Sequence, residues 1–299
     1  MVQPQTIQHD FKTLRVTPVA GALGAEINNV DLAALDDKTF AEIYQALLDH
    51  QVLFFRDQDL TPEQYRAFGQ RFGTLKKFPP ELFTKIRGEA DYVAGFDDVM
   101  EFHKTKEAKE NVGGRWHADL EHTDAPPKFT ILYGRLMPPA GGDTMFSNQY
   151  MSYEALSDGM KEMLGKMNAE HTDIVFDEEV MLQRLRDPNA RPNYDLSQRK
   201  NTTNYHPVVC THPETKRKLL YVSTMYTTHF EDMTREESRG LLDYLFNHMA
   251  KPEFTCRFRW DENSIAVWDN RCVQHYALND YPGEERIMHR MTVEGDRPA

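Results

Sequence analysis

The alternation of hydrophobic and polar residues divides the chain into many short strands. Residues 12–18 and 23–28 are predicted to be strands, and the run QVLFF at 51–55 is predicted to be a buried strand. Further segments with strand patterns lie at 115–119, 129–137, 206–211, 218–224 and across 254–295. Strands are therefore the main element of the second half of the chain.

Helical periodicity is found in a smaller number of segments. Asp36 is a candidate N-cap for a helix over 37–50, which places Phe40, Ile43 and Leu47 on one face. Two threonines are each followed three residues later by the partner of a capping box. These pairs predict helices that begin at Thr61 (with Gln64) and at Thr234 (with Glu237), and a further helix is predicted over 153–168.

Two segments lack a clear period. Residues 74–112 and 176–204 are predicted to be long loops or lids inserted in the domain. The chain has no internal repeat, so residues 1–299 are interpreted as a single domain. Many strands with helices outside them predict a mainly β fold with flanking helices, that is, a β-sandwich or jelly roll.

Charge and cysteine content narrow the class of protein. The formal net charge is −12, which opposes binding to nucleic-acid phosphates, so no nucleic-acid partner is expected. The three cysteines are scattered and form no CxxC motif, as is typical of a reducing compartment. The N-terminus has no signal pattern, and no apolar run is long enough to span a membrane. A cytoplasmic protein without a membrane partner is therefore expected.

The first candidate for chemistry is the sequence Trp116-His117-Ala118-Asp119. In a strand, side chains two residues apart point to the same face, so His117 and Asp119 could share one metal ion. Two histidines and one carboxylate are the ligands of non-haem iron(II) sites, so a second histidine would have to come from elsewhere. The motif alone also permits the simpler interpretation that His117 is hydrogen-bonded to Asp119.

Several later residues accompany this motif in a fixed order. A Gly-Gly-Asp-Thr sequence ends at Thr144, and a Trp-Asp-Asn sequence begins at Trp268 and precedes His275. Two arginines follow in the last predicted strand, Arg286 and Arg290. Taken singly, the arginines could be surface residues of an outer strand, and Trp268 could be an ordinary core aromatic.

In order and spacing, these residues resemble the family of taurine dioxygenase and 2,4-dichlorophenoxyacetate dioxygenase along nearly the whole chain. The resemblance implies a double-stranded β-helix, or jelly roll. It implies that iron(II) is bound by His117, Asp119 and His275. It also implies cosubstrate contacts: Arg286 would pair with the distal carboxylate of 2-oxoglutarate, Thr144 would donate a hydroxyl to it, and Trp268 would form a wall of the pocket.

The reaction implied is hydroxylation of a substrate C–H bond by O₂, with release of succinate and CO₂ from 2-oxoglutarate. Because Asp119 is a carboxylate rather than a small residue, hydroxylation is favoured over halogenation. Two alternatives stay open at this point. One is a zinc-dependent hydrolase that uses His117, Asp119 and His275 as ligands, and the other is a non-catalytic sensor of 2-oxoglutarate.

The substrate is expected to be a small anion. Arg290 matches a family position that often holds a sulfonate, sulfate or carboxylate head group. The taurine-specific pattern is not intact, because Phe78 stands in the stretch where taurine enzymes carry a His and a Tyr, and Gly113 replaces an expected asparagine. These changes favour a bulkier or more apolar substrate that contacts Phe78. The resemblance also implies a homo-oligomer, a dimer or a tetramer.

Overall fold

A computed structural model describes residues 9–77, 90–109, 111–186 and 201–299. Its helices are α1 (Asp37–His50), α2 (Pro62–Gln70), α3 (Gln149–Glu154), α4 (Asp158–Leu164), α5 (Ile174–Arg186) and α6 (Arg235–Met249). Its strands are β1 (Arg15–Pro18), β2 (Ala25–Asn28), β3 (Val52–Phe55), β4 (Ala90–Val93), β5 (Phe96–Lys104), β6 (Phe129–Leu136), β7 (Thr144–Asn148), β8 (Asn168–Thr172), β9 (Thr203–Pro207), β10 (Val209–Thr211), β11 (Lys218–Leu220), β12 (Thr227–Phe230), β13 (Thr255–Phe258), β14 (Ile265–Asp269), β15 (Val273–Ala277) and β16 (Arg286–Val293).

Two sheets form the centre of the molecule. The larger has the strand order β1-β2-β3-β14-β6-β16-β5-β4, and the smaller has the order β13-β7-β15. Aromatic side chains from both sheets pack together between them, with Phe54 of β3 stacked on Phe258 of β13 at a ring-centroid distance of 4.0 Å. This arrangement is the predicted jelly roll, which the structure confirms.

The opposite face of the large sheet is covered by α1 and α2. Strand β3 is buried on both sides, so alternate residues serve different layers: Phe54 faces the small sheet, whereas Phe55 packs with Phe68 of α2. Both helices begin as predicted, because Asp36 caps α1 and Thr61 forms a capping box with Gln64 at the start of α2.

A third sheet, β12-β8-β9, packs against α6 through a separate apolar cluster that includes Phe230, Leu242 and Leu245. The predicted capping box of α6 is confirmed, since Thr234 and Glu237 exchange hydrogen bonds between side chains and backbone. No helix in the described ranges is both long and apolar enough to cross a membrane.

The prediction of a loop over 74–112 is wrong for much of its length. Residues 90–104 form β4 and β5, and β5 pairs with β16 from Arg286 opposite Lys104 to Arg290 opposite Met100. The alternation of β5 is obscured because charged residues interrupt it on both faces, with Lys104 buried on the cavity side and Glu101 on the other. Its outward residue Glu101 pairs with His289 of β16.

Three other predictions need correction. Part of the predicted loop 176–204 is helix α5, and the rest of that loop up to residue 200 lies outside the described residues. The predicted helix 153–168 is two short helices, α3 and α4, because Ser157 caps a new helix start. Residues 115–119 are not a strand, since within them only His117 forms a bridge, with His275 of β15.

Candidate metal centre and adjoining cavity

The structure brings His117, Asp119 and His275 together. Their candidate ligand atoms all lie within 4.8 Å of one another, and the three residues are buried. His117 and His275 exchange two backbone hydrogen bonds, of 3.1 and 2.8 Å, which hold their rings at a centroid distance of 4.0 Å. Asp119 joins them from a turn in which Leu120 has a φ of 50°, rather than by the strand alternation that was predicted.

The two histidine rings are in the form that a metal needs. Burial lowers the pKa of His117 and brings the pKa of His275 well below its usual range, so both rings are neutral at pH 7. The Nδ1 of His117 lies 2.7 Å from the carbonyl oxygen of Arg115. Nδ1 must therefore carry the hydrogen, which leaves the Nε2 lone pair of His117 available to a metal.

The carboxylate of Asp119 is ionised and held at both oxygens. Its Oδ2 accepts a 2.6 Å hydrogen bond from the Thr130 hydroxyl, and its Oδ1 pairs with the Arg290 guanidinium at 2.9 Å. Burial opposes ionisation, but the positive charge of Arg290 and the hydrogen bond from Thr130 hold the pKa of Asp119 below its usual range. The centre therefore offers a negative oxygen ligand at neutral pH.

Asn270 forms hydrogen bonds with the backbone of Asp119 and with two side chains beside it. Its Oδ1 accepts from the backbone N–H of Asp119 at 3.2 Å and from Trp268 Nε1 at 2.9 Å. Its Nδ2 donates to the Thr130 hydroxyl at 2.8 Å. Neither Thr130 nor the contact role of Asn270 was predicted from the sequence, because neither contact follows from spacing along the chain.

A facial triad for iron(II) consists of two neutral imidazoles and one carboxylate on one side of the metal. His117, His275 and Asp119 provide this donor set. A ring nitrogen of His275, Nδ1, is buried without a hydrogen-bond partner in the described part of the chain. The residues present therefore fit the metal that the sequence analysis expected.

A second cluster of candidate ligand atoms, at His212, Asp269 and Cys272, is explained without a metal. His212 Nδ1 accepts two backbone N–H groups and its Nε2 lies 3.0 Å from Asp269, which also pairs with Arg271 at 2.6 Å. Burial raises the pKa of the Cys272 thiol well above its usual range, so the thiol is neutral.

A cavity of about 850 Å³, including its open mouth, adjoins the triad. It is lined by the three residues predicted to bind cosubstrate, Thr144, Trp268 and Arg286. Arg290, one of the two residues predicted to bind substrate, lines it as well. It is lined by Phe102, His103, Lys104, Thr105, Ala108, Asn111, Val112, Gly113, His117, Leu132, Thr144, Trp268, His275, Ala277, Tyr281, Arg286, Met288 and Arg290. The remaining predicted residue, Phe78, lies outside the described residues.

Thr144 and Arg286 form one end of the cavity. Trp260 Nε1 donates to the Thr144 hydroxyl oxygen at 2.9 Å, so the hydroxyl hydrogen can be donated to a ligand. Arg286 forms no ion pair with any carboxylate in the described ranges, and its Nε is buried without a partner. Gly142, at φ +70°, permits this arrangement because a Cβ there would lie 3.4 Å from Arg286.

Arg290 and Trp268 lie nearer the triad. The Arg290 guanidinium stacks 4.6 Å over the Phe102 ring, and the Trp268 ring centroid is 4.7 Å from that of His275. Gly113, at φ +87°, packs directly on the metal centre, because a Cβ at this position would lie 3.3 Å from His117 Cε1. Because glycine stands where an asparagine was expected, no side chain from position 113 lies beside this ligand.

Comparison with known proteins places the chain among dioxygenases. The family model of the taurine catabolism dioxygenase TauD, TfdA family matches residues 15–292. An alkylsulfatase of Acinetobacter baylyi is 32% identical over 300 residues, which cover 97% of this chain and 88% of that protein. An alpha-ketoglutarate-dependent sulfate ester dioxygenase of Pseudomonas putida is 32% identical, with coverage of 96% and 91%. The crystal structure of a taurine dioxygenase from Burkholderia xenovorans superposes with a TM-score of 0.77 at 32% identity, with coverage of 96% and 93%.

Proposed function

The chain belongs to the TauD/TfdA family of dioxygenases, and from this premise we propose that it oxidises an alkyl sulfate ester or an alkyl sulfonate. Membership and relatives make it a dioxygenase that depends on iron(II) and 2-oxoglutarate and acts on an anionic small molecule. The observation that carries the narrower substrate class is the position of Arg290, a cation beside the triad in a cavity wall that also contains the apolar side chains of Phe102, Leu132 and Met288.

In this proposal, His117, Asp119 and His275 hold the iron, and Arg286 and Thr144 hold the distal carboxylate of 2-oxoglutarate. The Arg286 guanidinium, which has no carboxylate partner in the described residues, and the available Thr144 hydroxyl support the second assignment, because a carboxylate accepts from both groups. When bound, iron(II) and 2-oxoglutarate supply the oxidising chemistry, in which O₂ is consumed and 2-oxoglutarate becomes succinate and CO₂.

The protein residues orient the reactants and keep water out. Trp268 is proposed as a wall that fixes the His275 ring, and Arg290 is proposed to bind the anionic head group of the substrate. Phe102, Leu132 and Met288 line the same cavity and would contact an alkyl chain. The three apolar side chains favour an alkyl substrate over the small, polar taurine.

For a sulfate ester, hydroxylation of the carbon that bears oxygen would break the C–O bond. R–CH₂–OSO₃⁻, 2-oxoglutarate and O₂ would give R–CH(OH)–OSO₃⁻, succinate and CO₂. The hydroxylated ester would then collapse to the aldehyde R–CHO and hydrogen sulfate. Two relatives, the alkylsulfatase and the sulfate ester dioxygenase, support this choice.

A cytoplasmic location and a homo-oligomeric state belong to the same proposal. The three buried free cysteines, Cys210, Cys256 and Cys272, support a reducing compartment. The exposed apolar residues on α5, Met181, Leu182 and Leu185, offer a surface for a second subunit.

The test is anaerobic addition of Fe(II) and 2-oxoglutarate, followed by visible absorption and a screen of substrates. We expect a charge-transfer band that is absent in Asp119→Ala and is shifted by alkyl sulfates or alkyl sulfonates. Admission of O₂ should then release equimolar succinate and aldehyde. Turnover without O₂ would instead support the zinc hydrolase, and 2-oxoglutarate binding without any turnover would support the sensor.

A further inference from the structure

Lys104 and Arg286 lie directly opposite each other on two adjacent strands. They are register partners in the antiparallel pair β5–β16, and both side chains line the cavity beside the triad. Side chains that are paired in this way have Cβ atoms about 5 Å apart, and like charges in this position destabilise a sheet. The protein nevertheless places two cations here, in the interior.

Among the described residues, no carboxylate forms an ion pair with either cation. Lys104 is only 8% exposed, and its Nζ is buried without a hydrogen-bond partner in the described ranges. The Lys104 ammonium lies 4.4 Å over the Tyr281 ring, which orients it but carries no full negative charge. An ammonium buried without a hydrogen bond is costly, so this arrangement indicates that a ligand supplies the partner.

Nearby acidic side chains of the described residues do not neutralise these two cations. The cavity lining in the described part of the chain contains no Asp or Glu. The acidic group that acts on Arg286, Asp143, is bound by Arg257 at 2.6 Å. In a chain with a net charge of −12, this is a local positive site with space for an anion.

We propose that Lys104 is a second cationic contact for the distal carboxylate of the cosubstrate, opposite Arg286. This inference rests on the proposed function. The position argues against a role in binding the substrate head group, because Arg290 lies four residues along β16 from Arg286, roughly 13 Å at the rise of a strand. Lys104 thus sets the selectivity for a 2-oxo acid that carries a second carboxylate.

The test compares two ligands that differ only in that carboxylate, 2-oxoglutarate and 2-oxopentanoate. Their affinities for Mn(II)-loaded protein are measured by calorimetry under nitrogen. Lys104→Met keeps the length of the side chain and removes the charge, so we expect 2-oxoglutarate to bind about 10- to 100-fold more weakly. The affinity for 2-oxopentanoate should change less than about 3-fold, and Lys104→Arg should recover part of the selectivity.

The matched control is Lys106→Met, which removes an exposed lysine two residues away that does not line the cavity. It should leave both affinities unchanged. Equal losses for both ligands, no loss for either, or failure of Lys104→Met to fold would each overturn the proposal. If wild-type protein binds no 2-oxoglutarate at all, the proposed function itself fails, whereas binding that depends on Arg286 but not on Lys104 overturns this inference alone.

Discussion

Asp119 illustrates how single residues prepare the metal centre. Both of its oxygens accept hydrogen bonds, one from Thr130 and one from Arg290, in a fully buried setting. Each bond restrains the carboxylate in one orientation, and partners of this kind tune metal affinity. Since Arg290 is also proposed to bind the substrate, Thr130 is the cleaner position at which to test orientation alone.

Thr130→Val should weaken metal binding. Valine has nearly the same shape, but it removes the 2.6 Å donor to Asp119 and leaves Asn270 Nδ2 without its acceptor. We expect the dissociation constant for Fe(II) or Mn(II) to rise about 10- to 100-fold, measured by calorimetry under nitrogen. Thr130→Ser keeps the hydroxyl and should stay close to wild type. Equal metal affinities for the valine and wild-type proteins would show that the hydrogen bond does not tune the site.

At the scale of elements, the site depends on strands that come from distant parts of the chain. Strand β15 supplies His275 and pairs with β7, which supplies Thr144, while β16 supplies both arginines and pairs with β5. Helix α6 lies in another layer, where Leu242 and Leu245 pack on the third sheet. A defect confined to α6 should therefore reduce stability without changing the cavity.

Thr234→Ala tests this separation. It removes the side-chain half of the capping box at the start of α6, in which Glu237 N–H donates to Thr234 Oγ1 at 3.2 Å. We expect the free energy of unfolding in urea to fall by about 1 kcal/mol, with metal and 2-oxoglutarate affinities unchanged. Arg239→Ala, at an exposed position of the same helix, should change the free energy of unfolding by less than about 0.5 kcal/mol. A loss of ligand affinity in Thr234→Ala would show that α6 and the cavity are coupled.

For the whole molecule, the burial of neutral histidines determines how stability depends on pH. Burial lowers the pKa of His206 to about 4, and it also lowers the pKa of His117, His248 and His275. At a pH between its lowered folded-state pKa and its ordinary unfolded-state pKa, each of these histidines binds a proton when the chain unfolds. The stabilisation is therefore complete above the unfolded-state pKa of about 6.5 and is lost as the pH falls from there towards the folded-state pKa.

We expect the metal-free protein to lose stability steadily between about pH 6.5 and pH 4.5. Each histidine that remains neutral contributes up to about 1.4 kcal/mol per pH unit in this window. Urea unfolding at a series of pH values measures the slope, and His206→Asn should flatten it by about one proton. An unfolding free energy that is constant from pH 7 to pH 5 would contradict the prediction, as would an unchanged slope in the variant.

Local signals in the sequence predicted the features that depend on neighbouring residues. Helix starts at Asp36, Thr61 and Thr234 are confirmed, because a cap is a contact over three residues. The alternation within the last strands predicted that Arg286 and Arg290 share a face, and both line one cavity. The order of motifs along the chain was enough to predict the family and the jelly roll.

Only the tertiary structure decided which groups meet. The bridge between His117 and His275, the hydrogen bonds of Asn270 and the pairing of Lys104 with Arg286 join residues far apart in the chain. Strand β5 was predicted to be a loop because charged residues interrupt its alternation on both faces, and its pairing with β4 and β16 makes it a strand. Such contacts are set by register between strands, which a single sequence does not specify.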